Sequence, residues 1–445
     1  MTIPDASKDE TKSRNPAELI EIEGDLAPSF EIPNDGNILI ISKDQSYLTH
    51  GIHKFPAKFF PELPRYLIQK YSKIGDTILD PMCGSGTVIL EALLNNRRAV
   101  GIDIDPMARL ITKVKTTPIP NNILYSSKDL LLERISENTN THRLEIEIPD
   151  FPYRDNWFKE CVLEEIAIIL TSINEIVSKY RGQAQDDLSD YYRVVLSSII
   201  REMSNADPHC SRTVLRKKVV KKIEADDTLT RFSQRLASQI TEMEAFSKFY
   251  STLKVKEVSL PLGTAIETGL DTSSIHLAIT SPPYINAVDY PRTHQLEMYW
   301  LGFLGDRPLS EVKRKYIGTE TVYKKEYNEL RTSGLGSLDP ILKRIYNLDP
   351  RRSFITYKFF EDMERQFQEM MRVLRPGARY CVAIGNNLIR GVRVKSHEIL
   401  AEIATSRIGF ELEKQFFSKL IRHFIRIPRR ERMHGEWVLI LRKPS

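Results

Sequence analysis

The stretch Thr77-Ile-Leu-Asp-Pro-Met-Cys-Gly-Ser-Gly-Thr87 decides the fold. Its apolar start, residues 77–79, predicts a buried strand that ends on Asp80, and the glycines after it turn the chain into a helix predicted over residues 88–95. A strand, a glycine turn and a helix N-terminus leave backbone N–H groups unpaired at a sheet edge, which is where α/β proteins hold nucleotide-like ligands. Two phosphate-binding loops are excluded. The dinucleotide fingerprint needs a third glycine at position 89, which is Ile, and the P-loop needs a terminal Gly-Lys-Ser/Thr that is missing.

A second apolar strand, Ala99-Val-Gly-Ile-Asp-Ile104, ends on acidic positions Asp103 and Asp105. Asp103 lies 17 positions after Gly86, a spacing that suits hydrogen bonds to ribose hydroxyls and so predicts a ligand with a nucleoside. Before the glycine turn, residues 37–42 form a short strand and His50-Gly-Ile-His-Lys-Phe-Pro-Ala-Lys-Phe-Phe-Pro61 a proline-broken loop placed to fold over that ligand. Residues 62–71 read as helical.

At 445 residues the chain exceeds what one hydrophobic core usually supports, so a large α/β domain with an insertion, or two domains, is expected. Hydrophobic residues at 41% and charged ones at 28% are ordinary globular values, and no apolar run approaches the roughly 20 residues that span a bilayer. With no signal-like start and four widely separated cysteines (Cys83, Cys161, Cys210, Cys381), a cytoplasmic protein without a disulfide framework is expected. The net charge is +5, but residues 1–36 hold nine acidic and three basic side chains. An acidic tail, expected to be mostly disordered, therefore precedes a body of net charge +11, which suits a polyanionic partner.

From residue 121 to 255 the β patterning gives way to long amphipathic helices, predicted over 157–180 and 188–203. Beyond them comes Ser211-Arg-Thr-Val-Leu-Arg-Lys-Lys-Val-Val-Lys-Lys222, six basic residues in twelve; Arg216, Lys217 and Lys218 form either a solvated helix face or a phosphate-tracking patch. Asp207-Pro-His-Cys210 offers too few ligands for zinc, and no metal is expected. Strands are predicted again at 255–260 and 275–279, the second leading into Thr280-Ser-Pro-Pro-Tyr284, where two prolines fix a rigid turn at the strand's end. Asp289-Tyr-Pro-Arg292 follows; Asp289 and Arg292 could line a substrate pocket, contact a phosphate or start a helix. Residues 305–355 are polar, a second insertion or long loop. A helix over 359–374, strands over 379–385, 410–418 and 437–441, and a helix over 396–407 complete the α/β pattern, with a basic, partly apolar segment over 419–432.

An acidic strand end at Asp80, a glycine turn and Asp103 on the next strand suit a ligand with an ammonium group and a ribose, and S-adenosylmethionine has both. Together with Thr280-Ser-Pro-Pro-Tyr284, these motifs make the chain resemble the amino-methyltransferases of DNA, in particular the N4-cytosine branch. The likeness covers roughly residues 50–110 and 255–300, and 355–443 more loosely. It implies a Rossmann-like class I methyltransferase sheet with helices on both faces, plus the mainly helical insertion. On this division residues 37–120 and 256–445 are catalytic and 121–255 is nominated for target recognition.

By the same resemblance, His53, Phe55, Asp80, Pro81, Gly84, Gly86, Thr87, Asp103 and Ile104 bind S-adenosylmethionine. Asp80 would meet its amino group, Asp103 its ribose and Phe55 its sulfonium. Ser281, Pro282, Pro283 and Tyr284 match the catalytic tetrapeptide, in which the serine hydroxyl and the first proline carbonyl would accept hydrogen bonds from an exocyclic amine while Tyr284 stacks on a flipped base. No cysteine follows a proline, so the ring-carbon chemistry that needs a cysteine nucleophile is not expected.

The implied substrate is double-stranded DNA, with a cognate restriction endonuclease as a partner and no membrane. N6-adenine or RNA amine methylation, and a catalytically silent DNA-binding subunit, stand as alternatives. Two features depart from the family pattern. Leu262-Gly-Thr-Ala265 lacks the acidic residue often placed there to meet the adenine, and the glycine turn precedes the tetrapeptide instead of following it.

Overall fold

The structure, a computed structural model, describes residues 18–140, 146–210, 212–216, 221–285, 288–419 and 434–445. Its strands in chain order are β1 (Leu19–Glu23), β2 (Gly36–Ile41), β3 (Thr77–Asp80), β4 (Arg98–Gly101), β5 (Val258–Ser259), β6 (Ile275–Thr280), β7 (Leu374–Ile384), β8 (Asn387–Ile389), β9 (Val392–Val394), β10 (Glu411–Lys419) and β11 (Gly435–Arg442). Among the described residues nine of these form one sheet in the order β1-β2-β10-β11-β7-β6-β3-β4-β5, with β8 and β9 a separate hairpin. Only β11 runs antiparallel to its neighbours, β7 and β10.

The chain leaves β3 outward to β4 and β5, then crosses back to β6 on the other side of β3 and continues to β7. That reversal opens a crevice beyond the C-terminal ends of β3 and β6, the ligand position of open α/β sheets. The sequence puts Asp80 and the glycine turn on one lip of it and Ser281 to Tyr284 on the other.

Strand alternation sends side chains to both faces. Ile78, Leu277, Cys381 and Ile440 pack under helices Glu62–Tyr71 and Thr87–Leu94. Leu79, Ala278, Tyr380 and Leu439 pack against the stripe Phe360, Met363, Phe367 and Met370 of helix Pro350–Val373. Helix Thr87–Leu94 has no side-chain cap and only eight residues, so burial must hold it. Removing Val88, Ile89, Leu90 and Leu93 from water is worth roughly 6–12 kcal/mol before the chain entropy is counted.

Two expectations need correction. Residues 18–36 are not a structureless tail: β1 pairs with β2 as the sheet's edge, and Leu26 and Ile32 are buried, because Leu19 to Glu23 has the period-two alternation of a half-buried strand. Residues 305–355 are not one loop. They hold helices Leu309–Arg314 and Asp339–Leu348 and the start of Pro350–Val373, whose Asp349 caps its first turn by accepting from the Arg352 N–H. The expected β-strand over 255–260 shortens to β5, and most of the segment 419–432 lies outside the described residues.

The helices from Asn121 to Ser251 are present as expected. Their apolar faces, with Ile166, Tyr192, Val195, Phe232 and Met243, share one core with Ile111 of helix Pro106–Thr116 and with Leu296 and Trp300 just downstream of the tetrapeptide. The insertion is therefore packed onto the crevice side of the sheet. Among the described residues no helix is long and apolar enough to cross a membrane.

Candidate active site

The glycine turn is built by close approach. Gly86 sits at φ +77°, and a Cβ there would lie 2.6 Å from Thr112 Oγ1 and 2.7 Å from its Cγ2. Gly84, at φ +50°, has room for a Cβ only 3.2 Å from the Phe55 ring. Residues with side chains would both strain the backbone and push the turn off helix Pro106–Thr116. The Gly84 N–H donates to Asp103 Oδ2 at 2.8 Å, and the Asp105 N–H donates to Asp103 Oδ1 at 2.9 Å. Asp103 thus ties the turn to the end of β4, with Ile104 half-buried between it and Asp105. Asp105 caps the next helix through Met107 and Ala108.

Asp80 is buried, and its Oδ1 accepts from Thr280 Oγ1 at 2.8 Å and from the Met82 N–H at 3.1 Å. No cation pairs with it among the described residues, and burial pushes its carboxyl up to about 7. Asp105 is also raised to about 7 by burial and the nearby Asp103 carboxylate, and Asp103 itself is raised by burial. The crevice thus concentrates three under-neutralised carboxyls. Pro81 is buried in the turn, and the buried Thr87 hydroxyl at the helix start has no partner.

Over the turn lies a ring stack that sequence reasoning saw only in part. Phe55 is stacked between Tyr290 (centroids 5.6 Å apart, 24°) and His294 (5.1 Å, 22°). His53 is buried with its ring 6.0 Å from His294, and burial lowers it to about 4 and His294 to about 3, so both are neutral. The segment carrying His53 and Phe55 is held from behind by the helical insertion: Arg235 Nη2 donates to the carbonyls of Gly51 (3.0 Å) and Ile52 (3.1 Å), and Gln239 Nε2 to Ile52 (2.7 Å). Only the fold brings these partners together, since more than 180 residues separate them.

Across the crevice, Ser281, Pro282, Pro283 and Tyr284 leave the end of β6. The Tyr284 phenol donates to Glu436 Oε1 near the start of β11. The Asn387 side chain holds the Ile285 carbonyl at 2.9 Å and so fixes the turn's exit. Gly318, from the segment expected to be a loop, packs against the Tyr284 carbonyl and Pro283. Glu436 was not anticipated. Its signal in the sequence is a lone carboxylate opening an otherwise apolar strand, and only the insertion of β11 between β7 and β10 shows where it lands.

The substrate-side candidates divide. Asp289 caps the short helix Tyr290–Thr293 and pairs with Lys313, which is the helix-starting role, while Arg292 is exposed. Arg216 forms an ion pair with the buried Asp207 at 2.8 Å, and Lys217 and Lys218 lie outside the described residues. The start of the basic run nevertheless reaches the segment that follows the tetrapeptide, because Thr213 donates to the Thr293 carbonyl at 2.7 Å and Arg212 lines a cavity with Asp289, Tyr290, Tyr316 and Gly318.

Comparison with known proteins agrees with this geometry. A family model described as DNA methylase matches residues 10–113, which include the Phe55 segment, the glycine turn and Asp103. Type II methyltransferase M.MvaI of Kocuria varians is 25% identical over 403 residues, 83% of this chain and 84% of that protein. Type II methyltransferase M.BsoBI of Geobacillus stearothermophilus is 25% identical over 310 residues, 65% and 59% of the two chains. M.AvaI of Anabaena variabilis is 25% identical over 400 residues, 81% and 79%. A crevice that pairs an acidic glycine turn with a Ser-Pro-Pro-Tyr strand end thus belongs to a chain that is similar to DNA methylases over residues 10–113 and to Type II methyltransferases over most of its length.

Proposed function

We propose that this DNA methyltransferase methylates the exocyclic N4 amine of cytosine in a specific duplex sequence, acting on a base turned out of the helix. The observation that carries the reading is the place of Ser281 to Tyr284 at the C-terminal end of β6, across the crevice from the glycine turn, with Asp80 and Thr280 joined by a hydrogen bond at the strand ends. A serine hydroxyl there has lone pairs to offer an amine. An exocyclic amine has its own lone pair drawn into the ring. It becomes nucleophilic when acceptors draw on its N–H groups, and the Ser281 oxygen and the Pro282 carbonyl are two such acceptors on a turn made rigid by prolines. Serine at this position favours cytosine; N6-adenine methylation uses the same chemistry and is the second reading.

S-adenosylmethionine supplies the methyl group as an electrophile. The residues fit it: Asp80, buried at about 7 with no cation, gains a counter-charge if it meets an ammonium, and Asp103 retains carboxylate lone pairs for ribose hydroxyls at the end of β4. Gly84 and Gly86 keep side chains out of the turn, with Pro81, Thr87 and Ile104 around it, while Phe55 and His53 form the opposite wall. Tyr284 offers the stacking face for the flipped base. The helices of 121–255 are assigned to target recognition; in support, Arg212 and Thr213 of that segment meet residues 288–293, which follow the tetrapeptide.

The reading extends to a cytoplasmic modification enzyme with a cognate endonuclease for the same site; the relatives named Type II methyltransferases support the modification role. Nucleoside analysis of DNA methylated by the purified enzyme tests the base. N4-methylcytosine is expected, and N6-methyladenine alone would overturn the cytosine reading. Ser281→Ala and Tyr284→Ala should each cut methyl transfer by about 100-fold or more while cofactor binding stays measurable. Full activity in both would overturn the role of the tetrapeptide.

A further inference from the structure

A base that turns out of a duplex leaves a gap, and an apolar side chain inserted there keeps the flanking bases from closing over it. The structure places a hairpin next to the point where the base would leave. β7 runs parallel to β6, so its C-terminal end opens on the same edge of the sheet as the tetrapeptide. From Ile384 the chain passes through Gly385 and Asn386 straight into β8 and β9, a hairpin separate from the main sheet. Asn387 ties this hairpin to the active site. Its Nδ2 donates to the Ile285 carbonyl at 2.9 Å, directly after Tyr284, and its Oδ1 accepts from Ser396 Oγ at 3.1 Å.

The hairpin holds its outer face rigidly. Its turn residues Arg390 and Gly391 both have positive φ, +52° and +77°, as a two-residue hairpin turn requires. Arginine is unfavourable at such a φ, and Asp349 holds it there, accepting from Nε at 2.9 Å and from Nη2 at 2.7 Å. Side chains alternate along the two strands. Ile389, Val392 and Val394 are buried in the core that holds Leu342 and Phe359, whereas Leu388 and Arg393, paired across the hairpin, face outward. Leu388 is 42% exposed, and it is next in the chain to Asn387.

We propose that this hairpin docks on duplex DNA and that Leu388 is a wedge, entering the stack at the target position in place of the base that turns out toward Tyr284. The charge of the hairpin fits that occupant, because residues 386–395 hold three basic side chains, Arg390, Arg393 and Lys395, and no acidic one. Arg390 pairs with Asp349 and Lys395 with Glu398, but each keeps more than half of its side chain exposed, where an ion pair is weak enough to exchange for a phosphate. Scattered exposed leucines are ordinary on soluble proteins. This one differs in its rigid, basic mount and in its place beside the residue that fixes the exit of the tetrapeptide.

The inference rests on the proposed methylation of a base turned out of the helix and holds for cytosine or adenine, so nucleoside analysis and the wedge test fail separately. The test is the single-turnover methylation rate of wild type, Leu388→Ala and Leu388→Met on two duplexes that carry the sequence methylated by the wild type. In one the target base is paired, and in the other it faces an abasic site, where it leaves the stack at lower cost. Leu388→Ala should be slower on the paired duplex by about 10-fold or more, the value of a buried leucine side chain, and within about 3-fold of wild type opposite the abasic site. Leu388→Met, which keeps the apolar volume, should stay close to wild type on both, and S-adenosylmethionine affinity by calorimetry should be unchanged in each variant. Ser281→Ala should be slow on both duplexes, which separates a failed wedge from a failed tetrapeptide. A Leu388→Ala enzyme that matches wild type on the paired duplex, or that is slowed by the same factor on both, would overturn the wedge.

Discussion

Gly86→Ala provides a stringent test of the glycine turn. Two costs meet at this position. The backbone sits at φ +77°, where an L side chain loses about 1–2 kcal/mol. The new Cβ would also stand 2.6–2.9 Å from three atoms of Thr112. Thr112 cannot swing away freely, because its hydroxyl donates to the Gly84 carbonyl at 3.0 Å and its backbone lies in helix Pro106–Thr116. Overpacking of this kind costs about 1–3 kcal/mol, so the total should be about 2–5 kcal/mol.

Gly75→Ala is the internal control. Gly75 has φ +84° but nothing within 4 Å of its would-be Cβ, so it suffers the backbone cost alone. Urea unfolding at fixed protein concentration and without cofactor gives both values. Thr112→Ala removes two of the three clashing atoms and should recover at least about 1 kcal/mol in the Gly86→Ala background. If Gly86→Ala costs no more than Gly75→Ala, or if the two changes add without interaction, the close-packed turn is refuted.

Two further expectations follow from buried partners. Lys115 is fully buried, its ammonium has no hydrogen-bond partner and burial pushes its pKa well below the usual value, so Lys115→Met should stabilise the free protein by about 1–3 kcal/mol at neutral pH. Because its folded pKa is depressed, wild-type stability should rise with pH up to the ordinary lysine range and the variant should lose that slope; equal slopes in urea titrations at two pH values would contradict this. Arg235→Ala removes the donor that holds the Gly51 and Ile52 carbonyls and should weaken S-adenosylmethionine binding roughly 10-fold, about 1.4 kcal/mol, without changing the fold. Unchanged affinity by calorimetry would show that the insertion does not brace the cofactor side.

Not all of this was equally legible in the sequence. Residues 77–87, 99–104 and 280–284 declare themselves because their constraints are local: a glycine that needs positive φ, an acid that closes a strand, prolines that stop a ladder. The strand at 19–23 was hidden because acidic residues and nearby prolines masked a short alternation whose partner, β2, is recruited from further along the chain. The helices within 305–355 were hidden because their apolar faces answer to neighbours elsewhere, such as Leu342 and Ile345 packed with Phe359. Phe55 was legible as an aromatic beside the glycine turn, but not as the middle of a stack with Tyr290 and His294.

By itself, then, the sequence determined the kind of ligand and the kind of chemistry. Both follow from residue types that touch their neighbours in the chain: the acid–glycine turn, the acid on the next strand and the hydroxyl before two prolines. The tertiary structure alone decided what stands across the crevice from them. Strand order brings Asp80 to Thr280 and Tyr284 to Glu436 over separations of 200 and 152 residues, and a helix of the insertion grips the Phe55 segment. Such pairings depend on how strands and helices bury their apolar faces against one another, and no local pattern records which polar ends that packing brings together.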